Sequence, residues 1–217
     1  MLLLTALASH PDVTCDGELL GPDGRPPSVG QRSLERTVAL AAARAAASKS
    51  AAWGWSLHPA HLVRHGVDDL EAFCASRHDD GDLLITLVRR DPVQQALSAL
   101  VAERSGVAHT DQATAPETPV HLDPLDVLQA VELAETDSAL VASMVAERSH
   151  LALTYEDDLA TSEQQAQALG RVTTFLGLAP HPLHSPLRRP AVALEDRISN
   201  YEEIDRLLRT LPVRTSG

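Results

Sequence analysis

Two short stretches of the chain are apolar at almost every position. Leu83-Leu84-Ile85-Thr86-Leu87-Val88 follows the polar run Asp79-Asp80-Gly81-Asp82, and Leu151-Ala152-Leu153-Thr154-Tyr155 follows a long amphipathic segment. Runs of this length without alternation read as strands covered on both faces. Residues 13–20 and 51–57 read as two further extended segments. Between them the pattern turns helical. Residues 2–9 form a short apolar helix stopped by Pro11, and the Ala-rich, breaker-free stretch 33–50 forms a longer one. Residues 67–77 follow Gly66 as a small helix, and Asp91-Pro92 opens another, with Asp as cap and Pro in the first turn. Helices are also predicted over 124–148, over 162–176 with Gly177 as the stop, and over about 195–211. Residues 21–30, with three prolines and three glycines, and 106–123 read as loops. Buried strands alternating with helices predict an α/β fold with a mainly parallel sheet, and no repeat or linker divides the chain, so residues 1–217 are expected to form one domain.

Composition narrows the partners. The 217 residues carry a formal net charge of -12, which opposes binding to nucleic acid. A small anionic ligand in a local pocket remains compatible with that charge. Aromatic residues make up only 3% of the chain, so the core is built from Ala, Leu and Val. Cys15 and Cys74 are too few for a disulfide framework or a Cys-rich zinc site and read as free thiols of a cytoplasmic protein. No apolar run reaches the length of a membrane span. Met1 to Ala8 lacks the basic start of a signal peptide.

The segment Leu84 to Val101, LITLVRRDPVQQALSALV, gathers the most chemistry. A strand delivers Arg89 and Arg90 to its C-terminal edge, the edge where open parallel sheets bind ligands. A helix starts at once, with its free N–H groups and positive dipole end at the same edge. Ser98 lies almost two turns after Asp91, at the margin of the apolar stripe Val93, Leu97, Leu100 and Val101. A guanidinium and a hydroxyl beside a helix start suit a phosphate dianion. By residue type alone, a strand-end arginine and a solvated serine explain the same pattern.

The order of apolar strand, Arg90, Asp91, Pro92 and Ser98 resembles the 3'-phosphate-binding motif of sulfotransferases that use 3'-phosphoadenosine 5'-phosphosulfate (PAPS). Other segments resemble the bacterial and tyrosylprotein branches of that family in the same order. They are Ala8-Ser9-His10-Pro11-Asp12-Val13 with Gly17-Glu18, Thr154-Tyr155-Glu156-Asp157 with Leu159, Phe175-Leu176-Gly177-Leu178, and Asn200-Tyr201-Glu202-Glu203. The resemblance runs from Leu2 to about Leu211. It implies a P-loop-like three-layer α/β/α fold, Arg90 and Ser98 as the cofactor's 3'-phosphate anchors, and Glu18 as the catalytic base. It also implies PAPS as sulfuryl donor without a metal, and a small-molecule, glycan or lipid hydroxyl as acceptor.

Two family features are expected to be missing. Aligned on Ser9-His10-Pro11-Asp12, Met1 falls at the end of the loop that holds the 5'-phosphosulfate, so the first strand and nearly all of that loop are absent, through a start set too late or through degeneration. Ser56, in Trp53-Gly54-Trp55-Ser56, stands where the family commonly has lysine, and Lys49, the only lysine, lies in the Ala-rich helix. A lost preorganised donor costs about 3–4 kcal/mol of transition-state stabilisation. The chain is therefore expected to be a weak or inactive sulfotransferase, or a non-catalytic nucleotide-binding or protein-interaction module. The missing strand should leave an open slot or exposed edge beside a central strand at 83–88, covered by a partner or a second copy.

The remaining candidates are weaker. His58, His61 and His65 read as surface histidines rather than metal ligands, with His61 in reserve as a base. Arg188 and Arg189 read as solvated charge that could approach the cofactor phosphate, and Asp79, Asp80 and Asp82 as turn and cap residues.

Overall fold

Capping chemistry fixes where several helices begin. In the computed structural model, which describes residues 2–19, 34–106, 118–185 and 192–210, the Asp91 carboxylate accepts the Gln94 N–H at 2.9 Å, and Pro92 occupies the first turn of the helix that follows. Thr161 and Gln164 cap each other reciprocally: the Thr161 hydroxyl accepts the Gln164 N–H, and the Gln164 side chain accepts the Thr161 N–H. Asp69 accepts the Ala72 N–H at 2.8 Å. Gly177, at φ 69°, ends its helix in the left-handed region that glycine adopts without penalty.

The elements in chain order are α1 (Leu2–Leu7), β1 (Val13–Glu18), α2 (Leu34–Ala47), β2 (Ala52–Ser56), α3 (Pro59–Arg64), α4 (Leu70–Asp79), β3 (Leu84–Val88), α5 (Pro92–Ser105), α6 (Pro124–Val145), β4 (His150–Thr154), α7 (Ser162–Phe175) and α8 (Tyr201–Leu208). A π-helical turn, Tyr155–Leu159, follows β4, and a short 3-10 turn, Glu195–Arg197, precedes α8. The fold is α/β, with two small parallel sheets among the described residues, β1 with β2 and β3 with β4.

The chain divides into two compact units. The first comprises Met1–Arg90 and Asp137–Pro186, the second Asp91–Thr136 and Leu187–Gly217. The first holds all four strands and two cores. One core joins Ala6 and Leu7 of α1 and Ala168, Leu169 and Val172 of α7 to Val13, Leu153 and Leu159, with Cys15, Ala52, Ile85 and Leu151 packed against it. The other joins Leu62, Leu70, Cys74, Met144 and Val145, with Trp55, Leu84 and Leu140 packed against it. Both strand pairs therefore contribute to both cores. Burial pushes the Cys15 thiol up to about 11, with Asp16 beside it adding to the effect, and burial also raises Cys74 against the opposing charge of Arg148.

The second unit packs Leu97, Leu100 and Val101 of α5 and Val127 and Val131 of α6 around Leu122, Ile198 and Ile204. The buried stripe read from the sequence is the one observed, with Ala96 added and Val93 at its edge. Asn200 organises the far side of this core. Its carbonyl oxygen accepts the Leu122 N–H at 3.1 Å, and its amide donates to the Leu122 carbonyl at 2.9 Å.

Four expectations change. The strand at 84–88 is not central: β3 pairs with β4 alone among the described residues, and Leu87 is 41% exposed. With one edge unpaired, its apolar side chains lack neighbours on that side. Helix α3 fills part of the stretch between the predicted strand 51–57 and the predicted helix 67–77 to which no element was assigned, and Pro59 starts it because proline fits the first turn. The last helix is interrupted, since Ile198 turns extended and bridges Val120. Lys49 lies beyond the end of α2, exposed.

Leu122 is 1% exposed, so Asn200→Ala leaves a buried N–H and a buried C=O without partners. A loss of about 2–3 kcal/mol is expected. Asn200→Asp keeps the acceptor and should lose less. Urea denaturation of the three proteins measures both effects.

Candidate functional site

The C-terminal ends of parallel strands concentrate the polar chemistry of the first unit. At the end of β3, Arg89 lays its guanidinium over the Tyr155 ring, 4.1 Å from the centroid. The Arg90 N–H donates to Glu156 Oε2 at 3.0 Å, and its guanidinium pairs with Asp157. Residues 155–159 tie this corner together, since Asp158 accepts the Thr154 N–H at 2.7 Å and pairs with Arg171, while Leu159 anchors the turn in the core. The segment that resembles the Tyr-Glu-Asp-Leu motif thus locks the ends of β3 and β4 to each other.

Electrostatics at this corner run in both directions. Burial pushes the Glu156 carboxyl up, but the Arg90 and Glu156 N–H groups and the charges of Arg89 and Arg90 together outweigh it and hold the carboxyl below its ordinary value of 4.5. The Arg90 and Asp157 side chains are 65% and 57% exposed. An ion pair that open to water contributes little, with a median of about 0–1 kcal/mol.

A second cluster lies at the end of β2. Ser56 is the parallel partner of Glu18 across β1 and β2, which brings the backbone of the expected base to this edge. The Glu18 side chain lies outside the described residues. His58 Nε2 stands 3.5 Å from Asp137 Oδ2, and the His58 and His61 rings are 5.2 Å apart. Ser56 Oγ and His58 Nδ1 are buried and have no hydrogen-bond partner among the described residues. His61 is 7% exposed, so its reading as a surface histidine is corrected: α3 turns it inward. Asp137 was missed, because nothing in the apolar register of the long helix marks a single buried carboxylate.

The Ser9-His10 segment is structural here. His10 is buried, its Nδ1 accepts the Asp12 N–H at 3.0 Å, and its Nε2 therefore carries the proton donated to the Ala179 carbonyl at 3.1 Å. Ser9 Oγ donates to the Ala6 carbonyl and accepts the His184 N–H. Trp53 and Arg44 both engage Asp16, at 3.0 and 3.2 Å. Ser98 sits on α5, part-buried, in the second unit, whereas Arg90 closes the first segment of the first unit. Arg188 and Arg189 lie outside the described residues. Among the described residues no three His, Cys, Asp or Glu side chains gather as metal ligands, and no helix is long and apolar enough to cross a membrane.

Set against models of known protein families, curated proteins and solved structures, the chain shows no match.

Because its folded value is depressed, the Glu156 carboxylate contributes stability that is present above the ordinary value of 4.5 and is lost as pH falls through the folded value. Carbon-13 NMR titration should find Glu156 below 4.5 in the native protein and closer to it in Arg89→Ala and Arg90→Ala. Titration unchanged by both substitutions would show that the guanidinium charges are not a cause.

Proposed function

We propose that this chain is a sulfotransferase-like domain of three-layer, P-loop-like α/β/α architecture that takes the adenosine 3',5'-bisphosphate portion of PAPS at the C-terminal end of β3. The observation that supports this reading is Arg90: a guanidinium at the C-terminal end of a parallel strand, largely exposed, held by a weak and displaceable carboxylate pair. The chain passes from it directly into a helix opened by Asp91 and Pro92, as in the motif it resembles. Arg90 replaces Asp157 with the 3'-phosphate, a stronger charge-assisted partner. Tyr155 and Glu156 keep Arg89 and the Arg90 backbone in place while the guanidinium changes partner.

In the transfer itself, the acceptor hydroxyl oxygen forms a bond to the sulfur of PAPS as the bond from sulfur to the 5'-phosphate oxygen breaks. Adenosine 3',5'-bisphosphate leaves, and the hydroxyl proton goes to a base, Glu18. The group of Ser56, His58, His61 and Asp137, of which His61 and Asp137 are buried, stands at the same edge of the β1–β2 pair as Glu18 and lines the acceptor side. A non-catalytic binding module is the second reading. It is favoured by the single-sided pairing of β2 and β3, which leaves strand edges for a protein partner.

Calorimetry with adenosine 3',5'-bisphosphate and adenosine 5'-phosphate tests the first reading. The bisphosphate should bind more tightly, Arg90→Ala should weaken it by roughly tenfold to a hundredfold, and Asp157→Asn should strengthen it by up to about fivefold as the competing carboxylate is removed. Equal affinities for the two nucleotides would remove the assignment. For the base, Glu18→Gln should lower turnover of labelled PAPS while leaving donor affinity unchanged, and full turnover in that variant would reassign the proton to His61.

A further inference from the structure

Helix α6 carries a carboxylate on the side that it buries. Over the last turns of this helix Leu140, Met144 and Val145 join the core shared with Leu62, Leu70 and Cys74. Asp137 stands about one turn before Leu140 and almost two turns before Met144, on the same face. Its side chain is 10% exposed. A carboxylate in such a place is costly unless a cation or several N–H groups meet it. Its one hydrogen-bonding or ionic contact among the described residues is His58 Nε2, at 3.5 Å. A charge-assisted N–H···O bond is shorter, about 2.7–2.9 Å.

The histidine leaves a second group unmet. His58 lies between the end of β2 and the start of α3, and its side chain does not cap that helix. A proton on Nε2 facing Asp137 leaves Nδ1 as an acceptor. Nδ1 is buried and has no hydrogen-bond partner among the described residues. The rest of the ring is open, since the His58 side chain is 44% exposed, so the pair borders solvent on the His58 side. The His61 ring stands beside it, with the two centroids 5.2 Å apart.

An acceptor pair without a close donor selects its ligand by chemistry. A hydroxyl brings a single donor and no charge, whereas a primary ammonium brings a donor on every N–H and a full positive charge. A metal ion would need further ligands, and among the described residues no three His, Cys, Asp or Glu side chains gather to supply them. The ammonium is the group that meets the Asp137 charge and both open acceptors together.

We infer that Asp137 and His58 form an ammonium-binding subsite, and that the acceptor hydroxyl accordingly belongs to an amino alcohol or amino sugar. The ammonium donates to the Asp137 carboxylate and to His58 Nδ1 beside the His61 ring. Held in this form its nitrogen has no lone pair, so it anchors the ligand and the hydroxyl remains the nucleophile. The subsite lies at the end of β2, the edge to which pairing with Ser56 brings the Glu18 backbone. That the ligand's hydroxyl takes a sulfuryl group rests on the sulfuryl-transfer reading, while the ammonium site rests on Asp137 and His58 alone.

The probes are 2-aminoethanol and 1,2-ethanediol, which are alike in size and differ by the cationic group. Each is titrated into the full chain at neutral pH and followed by NMR through the histidine ring signals. 2-Aminoethanol should shift His58 and His61 saturably and bind at least about tenfold more tightly than the diol. Asp137→Asn, nearly the same in shape, should bring 2-aminoethanol down to the level of the diol. The variant should melt at the wild-type temperature or above it, because the buried charge is gone. Equal affinities of the two probes for the wild-type chain would overturn the inference, whether or not the variant folds. So would 2-aminoethanol binding undiminished in Asp137→Asn, which would assign the amine to the general negative charge of the chain, -12. Adenosine 3',5'-bisphosphate is titrated into the same samples. Discrimination between the probes without nucleotide binding keeps the subsite and removes the sulfuryl-transfer reading, and nucleotide binding without discrimination does the reverse.

Discussion

A parallel strand can hydrogen-bond along two edges, and a strand paired on one side leaves half of its ladder unsatisfied. Much else in the first unit follows from this constraint. β2 and β3 each pair on one side among the described residues, although the layers above and below them are continuous from one pair to the other. Apolar residues that would be covered in a central strand, Leu83 and Leu87 among them, stay partly in contact with water. A two-stranded parallel sheet has little stability of its own, so the unit depends on α1 and α7 on one face and on α3, α4 and α6 on the other.

The same edge positions the polar chemistry. Both clusters sit where the strands end: Arg89, Arg90, Tyr155, Glu156 and Asp157 after β3 and β4, and Ser56, His58, His61 and Asp137 after β2. In the first, every charge has a partner on the corner itself, which makes it a structural tie. The exposed Arg90–Asp157 pair is the contact that the proposed 3'-phosphate would replace. In the second, leaving the buried Ser56 hydroxyl and His58 Nδ1 atom without partners is costly.

The elements were legible where the signal was local. The continuous apolar run at 83–88, the Asp91–Pro92 cap and the Gly177 stop each specify their structure through neighbouring residues. The breaks came where tertiary contacts decide. Asn200 spends its side chain on the Leu122 backbone and thereby interrupts a helix that the local pattern would continue. His61 and Asp137 are buried by elements distant in sequence, and a short helix opened by proline gave no sign of which face it covers. Arg90 could be singled out from its strand-end position, but its pairing with Asp157 depends on the β3–β4 register, which no local feature records. The centrality of β3 could not be read from its own residues at all, because it depends on which strands pair along its edges.

Amide hydrogen exchange along β2, resolved residue by residue in the chain as it stands, tests the one-sided pairing of β2 most directly. The Gly54 N–H shares its orientation with that of Ala52 and faces β1, whereas those of Trp53 and Trp55 point away from β1. The account predicts slow exchange at Gly54 and fast exchange at Trp53 and Trp55. Protection of Trp53 and Trp55 equal to that of Gly54 in the unextended chain would contradict it.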